Sequence, residues 1–202
     1  MELHKIIESI RPEIIFEELS YINFTKCYHE KSLITLETNA IKKYLQNNNI
    51  KHIPVDTFDL PNSYYEELDS MYNRIINNNK IIESRRLLDI LDKQSYLENQ
   101  CGFSFLNSNQ NDEIFEEIKI LKVRVLNAIN AETLFSIDRL EKEIIENREH
   151  EIINNIYNYS NDHIYTQALL FIGSGHRKSM MQKIQEYESN ENLKLNWTFY
   201  NN

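Results

Sequence analysis

The feature that most constrains this fold is a run of five apolar residues that leads into a glycine-containing turn. The run is Ala168 to Ile172, the turn is Gly173-Ser174-Gly175-His176, and a polar, helix-compatible segment follows it as far as Lys183. The chain has only three glycines, and two of them lie in this turn. Glycine permits a positive φ or a close approach of another group to the backbone. The pattern therefore predicts a buried strand, a tight turn and a helix.

The histidine of this turn is a candidate functional residue. We expect His176 in the first turn of the following helix, at the carboxyl end of a strand. The free N–H groups and the dipole of a helix start favour anions or developing negative charge. The alternative is an ordinary turn whose histidine caps the helix or packs.

Length, charge and cysteine usage limit the class of protein. A chain of 202 residues that is 41% hydrophobic can bury a sizeable core as a single domain spanning 1–202. Its net charge of −9 and its lack of a Lys/Arg run argue against nucleic acid and acidic membranes as partners. No apolar run reaches the ~18 residues of a membrane span, and the polar amino terminus is unlike a signal peptide. We therefore expect a cytoplasmic protein, with Cys27 and Cys101 as reduced thiols.

Two further strands are predicted in the first part of the chain. Residues Glu13 to Leu19 form a run typical of a strand buried on both faces, with Glu17 and Glu18 at its carboxyl end. A helical segment follows, and Ile50 to Val55 then predicts a second strand that ends at Asp56. The order indicates an α/β protein with a small, mainly parallel sheet flanked by helices.

A helical insertion is predicted at 61–130, because apolar residues recur there at helical spacing and no linker composition flanks it. We expect a loop from Asn99 to Asn111 around Gly102 to interrupt its helices. At the end of the chain, the alternation of apolar and polar residues from Leu193 to Phe199 predicts a half-buried terminal strand.

One arginine occupies an unusual position. The segment Ala131 to Tyr157 predicts a long helix, and Arg148 lies four residues from both Ile144 and Ile152 on its apolar stripe. A buried guanidinium must be paired or must line a cavity, because an unpaired buried charge is costly. We expect Arg148 to approach Glu18 or Asp56. The alternative is a side chain that extends to solvent or pairs only structurally.

The predicted strands all end in polar residues. In open α/β sheets, ligands bind outside the carboxyl ends of the strands. If the strands are parallel neighbours, Glu17 or Glu18, Asp56, Arg148 and His176 converge at one edge. Taken singly, each carboxylate is equally typical of a loop or a helix cap.

The order of these motifs resembles the TraB/PrgY family and its wider circle of Tiki metalloproteases, GumN-like proteins, ChaN and erythromycin esterases. Glu18-Leu19 matches the strand-ending glutamate of that pattern, with Glu17 as the alternative, and Ile53-Pro54-Val55-Asp56 resembles its second strand end. Arg148-Glu149-His150-Glu151-Ile152 resembles a helical motif in which Asp or Asn usually follows the arginine. Gly173-Ser174-Gly175-His176 matches a G-x-x-H turn.

The resemblance also implies roles for these residues. It implies a hydrolase-type, metal-dependent peptidase-like site with Glu18 and His176 as ligands of Mn²⁺, Co²⁺ or Zn²⁺, or with Glu18 as general base. Arg148 would orient a substrate carboxylate or stabilise an oxyanion. Glu17, Asp56 and Gly173-Ser174-Gly175 would contact the substrate, which we expect to be a small molecule or a peptide.

The family pattern begins with another G-x-x-H turn, on a strand upstream of the first helix. No glycine precedes Gly102 in this chain, so either that strand lies outside this sequence or this member has lost half of its site. His176 with one or two carboxylates is fewer than the three protein ligands of a typical catalytic zinc. We therefore expect weak or no binding of divalent metal and little hydrolysis. The rival hypothesis is a non-catalytic binding or regulatory protein of the same fold, including one that binds haem or a metal complex as ChaN-like proteins do.

Overall fold

The computed structural model describes residues 2–30, 32–57, 60–190 and 193–200. Within these residues the chain forms a parallel sheet and a larger set of helices. The strands are β1 (Ile14–Glu17), β2 (Lys51–Pro54) and β3 (Ala168–Phe171). The α-helices are α1 (Glu2–Ile10), α2 (Tyr21–Thr25), α3 (Leu36–Leu45), α4 (Asn62–Ile76), α5 (Ile82–Leu106), α6 (Asn109–Ile129), α7 (Glu132–Asp162) and α8 (Arg177–Asn190). A π-helix (Lys26–Glu30) follows α2, and a 3₁₀ turn (Ser174–His176) precedes α8.

The three strands lie parallel in one sheet in the order β2-β1-β3, so the α/β prediction is confirmed. In register, Phe16 of the central strand pairs with Ile53 on one side and with Leu170 on the other. All four residues of β1 are buried, because it has a neighbour on each side and helices cover the sheet. The carboxyl ends of all three strands consequently meet at the same edge.

The chain folds as two compact units. The first comprises Met1–Asp59 with Asn147–Asn196, and the second comprises Leu60–Glu146 with Trp197–Asn202. The sheet belongs to the first unit, together with α1, α3, α8 and the second half of α7. Its core contains apolar residues from the strands and from α1 and α3, namely Ile7, Ile15, Ala40, Ile41, Tyr44 and Phe171.

The second unit is helical and contains the segment that we interpreted as an insertion, 61–130. Its core residues come from α4, α5, α6 and the start of α7, namely Met71, Ile75, Leu87, Ile90, Phe105, Ile114, Leu121, Val125, Leu126 and Leu134. The predicted loop from Asn99 to Asn111 is wrong, because α5 continues to Leu106 through a bend at Gly102 (φ 55°, ψ −134°). The helix resumes there because glycine tolerates this backbone conformation.

The predicted terminal strand, Leu193 to Phe199, is also wrong, since the structure assigns no strand to residues 193–200. The alternation of exposed and half-buried side chains is present there, but the backbone is not paired with the sheet. The amide of Leu195 instead donates to the side chain of Glu188 at 3.0 Å. The N–H of Leu195 is therefore bonded to a side chain of α8, whereas in a strand it could pair with the backbone of a neighbouring strand.

Within the described ranges, no helix combines the length and the apolar character needed to cross a membrane.

Candidate functional site

The carboxyl edge of the sheet brings together the strand ends that the sequence marked. Glu18 directly follows β1, one residue separates Asp56 from the end of β2, and one residue separates the turn Gly173-Ser174-Gly175-His176 from the end of β3. The second half of α7, in the same unit, contributes Arg148 and Glu149. The side chains that bear charge at this edge therefore come from four segments that are distant in sequence.

Arg148 is paired with two carboxylates, as its position on the apolar stripe predicted. Its Nη2 atom lies 3.0 Å from Oε1 of Glu18 and 2.6 Å from Oδ2 of Asp56, and its Nε atom lies 3.1 Å from the same Asp56 oxygen. The Asp56 side chain is only 4% exposed, and that of Arg148 is 23% exposed. A charged hydrogen-bonded pair of this kind offsets the cost of removing both carboxylates from water.

His176 lies between Glu149 and Glu18, and it shares Glu18 with Arg148. Its Nδ1 atom is 2.7 Å from Oε1 of Glu149, and its Nε2 atom is 3.3 Å from Oε1 of Glu18. Burial alone would lower the pKa of His176, but the hydrogen bond to Glu149 and the charges of Glu18 and Glu149 raise it above 6.5, its ordinary value. The two contacts also hold the ring in a fixed orientation.

Glu149 is the residue that sequence reasoning missed, since it entered only as the acidic position of the arginine motif. It is 1% exposed. Its Oε2 atom accepts hydrogen bonds from Ser179 Oγ at 2.5 Å and from Lys183 Nζ at 3.0 Å. Burial would raise the pKa of this carboxyl, but the bonds from His176, Ser179 and Lys183 lower it. The sequence did contain a signal, because His176, Ser179 and Lys183 recur at the three- and four-residue spacing of one helix face.

The glycine turn contributes a backbone donor. The N–H of Gly173 donates to Oε2 of Glu18 at 2.7 Å, so both oxygens of that carboxylate are engaged. The backbone of Gly173 has φ −56°, which any residue can adopt. A Cβ atom there would also make only ordinary contacts, so neither a positive φ nor a close approach requires glycine at this position, and its role is the N–H that binds Glu18. Ser174, Gly175 and His176 form the 3₁₀ turn that leads into α8, so His176 directly precedes the helix in whose first turn we expected it.

Glu17 does not join this group. Successive side chains of a strand point to opposite faces, and the Oε2 atom of Glu17 accepts from Tyr28 OH at 2.8 Å and lies 2.7 Å from Nε2 of His52. Burial and the adjacent Glu17 raise the pKa of Tyr28. On α3, burial and the charges of Glu17 and Glu18 raise the pKa of Glu37 to about 7. A second polar cluster thus lies beside the first, with a carboxyl group that is partly protonated at neutral pH.

The residues that resemblance assigns to a metal do not fit a divalent ion in this arrangement. Among residues 2–30, 32–57, 60–190 and 193–200, no group of three or more His, Cys, Asp and Glu side chains is placed to hold one. A guanidinium nitrogen stands between Glu18 and Asp56, where an ion shared by these carboxylates would have to lie. His176 already contacts a carboxylate through each ring nitrogen.

No protein-family model, no curated protein and no solved structure matches this chain.

Proposed function

We propose that this chain is a TraB/ChaN-like protein with a hydrolase-type site at the carboxyl edge of its sheet. The observation that carries the proposal is the pair formed by His176 and Glu149, with 2.7 Å between Nδ1 and Oε1 and with Glu149 almost fully buried. A buried carboxylate on one ring nitrogen fixes the orientation of the ring and stabilises its protonated form. Acid–base catalysis requires a positioned imidazole of this kind, with a pKa near the working pH.

The reaction that we propose is hydrolysis of an ester or amide of a small molecule or peptide. His176 accepts a proton from water, and the water oxygen forms a bond to the carbonyl carbon. The bond to the leaving group then breaks, and His176 returns the proton to that group. The Nε2 atom performs this exchange when a substrate displaces its 3.3 Å contact with Glu18, because the contact of Nδ1 with Glu149 is shorter, at 2.7 Å.

Arg148 supplies fixed positive charge beside this histidine. Glu18 contacts both residues, with 3.0 Å to Arg148 Nη2 and 3.3 Å to His176 Nε2, so the two cationic groups share one carboxylate. A guanidinium held in this way stabilises negative charge that develops on the substrate oxygen, or orients a substrate carboxylate. Glu18 and Asp56 are then positioning residues for Arg148, and no step passes through a metal ion.

The test is a hydrolysis assay with p-nitrophenyl acetate, p-nitrophenyl butyrate and alanine p-nitroanilide as probes. The little hydrolysis expected from the sequence refers to a metal-dependent reaction, whereas for this metal-independent one we expect turnover by the wild-type chain that persists in EDTA and that falls at least about 100-fold in His176→Gln. His163→Gln is the matched control, because His163 is exposed and its Nδ1 atom contacts the Tyr159 carbonyl in the same unit. Equal rates for His176→Gln and wild type, or no turnover of any probe, would contradict the proposal.

A non-catalytic binding protein of the same fold is the second candidate. The observation that favours it is the mutual pairing of the charges, since Arg148 already binds Glu18 and Asp56 within this unit. A ligand would then raise the melting temperature without being converted, which distinguishes this candidate from an enzyme. Haem would need an axial ligand other than His176, whose ring nitrogens both contact carboxylates, and His29 is an exposed histidine in the same unit.

A further inference from the structure

We infer that Arg148 is the built-in cation of this site, and that its guanidinium takes the place of a divalent ion between Glu18 and Asp56. This inference goes beyond the proposed hydrolysis, because it concerns the charge that organises the strand ends whether or not the chain turns over a substrate. It also gives a reason why the site does not fit a metal ion. Side chains that could bind one are present, but the guanidinium of Arg148 contacts two of them.

The geometry of one nitrogen carries the inference. Nη2 of Arg148 contacts Oε1 of Glu18 at 3.0 Å and Oδ2 of Asp56 at 2.6 Å. The same Glu18 oxygen lies 3.3 Å from Nε2 of His176. Two carboxylate oxygens and an imidazole nitrogen, which are ligands that borderline divalent ions accept, are therefore grouped around the end of the arginine side chain.

The charges explain why some cation is needed there. The Glu18 and Asp56 side chains are 13% and 4% exposed, so their negative charges are poorly screened by water. Two carboxylates this close repel each other unless positive charge stands between them. A guanidinium is protonated at all ordinary pH values and binds carboxylates through several N–H groups, so it can supply this charge permanently.

The surroundings hold the side chains of Glu18 and His176 independently of Arg148, and the pairing of the strands fixes the backbone that carries Glu18 and Asp56. Oε2 of Glu18 accepts the N–H of Gly173, and β1 and β2 are adjacent strands of the sheet. His176 is fixed by Glu149 from the opposite side of its ring. Removal of the guanidinium takes away the positive charge between Glu18 and Asp56. We therefore expect a divalent cation to enter in its place, with Oε1 of Glu18, Oδ2 of Asp56 and Nε2 of His176 as its ligands.

The experiment is titration of the full chain with Mn²⁺, Co²⁺ and Zn²⁺ by calorimetry, with the visible absorption of Co²⁺ as a second measurement. Arg148→Met is the test variant, because methionine keeps an unbranched apolar stem and removes the charge. We expect no saturable binding by wild type and one ion per chain bound by Arg148→Met. Adding Asp56→Asn or His176→Gln to that variant should weaken its binding about tenfold or more.

Two controls separate the loss of the guanidinium from general effects. Arg148→Lys retains a positive charge and should bind no ion. Arg139→Met removes an exposed arginine from the same helix and should behave as wild type. If Arg148→Met folds poorly by itself, Zn²⁺ should raise its melting temperature while leaving that of wild type unchanged.

Two outcomes of the metal titration would overturn the inference. One is tight one-to-one binding by wild type that Asp56→Asn or His176→Gln abolishes, because Arg148 would then not stand in for an ion. The other is Arg148→Met that neither binds an ion nor gains stability from one. Neither readout depends on turnover, so failure of the hydrolysis assay and failure of this inference are distinguishable.

Discussion

Nδ1 of His176 lies 2.7 Å from Oε1 of Glu149, and that carboxylate also accepts hydrogen bonds from Ser179 and Lys183. The contact joins the turn after β3 to the second half of α7, two segments that are separated by 27 positions along the chain. Because Glu149 is buried and its pKa is lowered, it remains ionised and keeps the imidazole in one orientation. The histidine motif that the sequence shows thus depends on an acid from another helix.

We predict that Glu149→Gln lowers the pKa of His176, because the variant removes the negative charge that raises it and leaves only a neutral amide oxygen as acceptor. Titration of the histidine ring signals by NMR measures this change. If the proposed chemistry holds, hydrolysis should also fall by roughly 100-fold, the scale of a general acid–base contribution. Glu146→Gln, at an exposed position of the same helix, is the control and should leave the titration unchanged. An unaltered His176 titration in Glu149→Gln would sink the prediction.

We predict a specific pH dependence of the stability that His176 contributes. The folded-state pKa of His176 is raised, so its contribution is fully present below the unfolded value of 6.5 and is lost as the pH rises through the folded value. Urea unfolding of wild type and His176→Gln from about pH 5 to about pH 9 measures it. The difference in unfolding free energy should shrink with rising pH. A difference that grows over this range would contradict the sign.

We predict that the helical unit depends on a buried lysine. Nζ of Lys122 lies 2.7 Å from Oδ1 of Asp138 and 2.8 Å from Oε2 of Glu141, and its side chain is 7% exposed. Lys122→Ala leaves Asp138 with Lys142 and Glu141 with Tyr72 as remaining partners, and it should lower the free energy of unfolding by about 1–3 kcal/mol. Lys119→Ala, whose exposed pair with Glu116 contributes about 0–1 kcal/mol, is the control. Equal urea midpoints for both variants would show that the buried pair is unimportant.

We predict that one substitution of Gly173 is tolerated and that another destabilises the protein. A Cβ atom there would lie 3.4 Å from Oε2 of Glu18 and 3.6 Å from Cδ2 of His176, which is ordinary contact, so Gly173→Ala should change stability by less than about 0.5 kcal/mol. Gly173→Pro suits φ −56° but removes the N–H that binds Glu18. Its unfolding free energy should fall by about 1.5 kcal/mol. Matching melting curves for the two variants would refute the donor role.

Much of the architecture could be predicted from local patterns. The apolar runs before Glu17, before Asp56 and before Gly173 predicted three parallel strands, and the structure confirms them in one sheet. The apolar stripe around Arg148 predicted a carboxylate partner, which the structure also shows. The spacing of apolar residues along a short segment is enough to predict a strand or the buried face of a helix, so these predictions do not depend on contacts between distant residues.

Predictions from local sequence were wrong where the same residues are compatible with two local conformations. The alternation from Leu193 to Phe199 is that of a half-buried strand, but the bond from Leu195 to Glu188 ties this segment to α8. Gly102 indicated a loop, whereas packing of the second unit keeps α5 helical on both sides of the bend. In each case a contact outside the segment itself accompanies a conformation that the local residues permit together with another.

The composition of the site was decided by the tertiary structure alone. Glu17 and Glu18 are equivalent candidates in the sequence, but the alternation of the strand directs one to His52 and the other to Arg148. Arg148 and Glu18 are 130 positions apart, and no local pattern indicates which acid meets which cation. The sequence by itself determined which side chains end the strands and which lie on the stripe of α7. Only the packing of α8 and the second half of α7 against the sheet decided that a guanidinium occupies the space between two carboxylates, because charge pairing depends on distance in space.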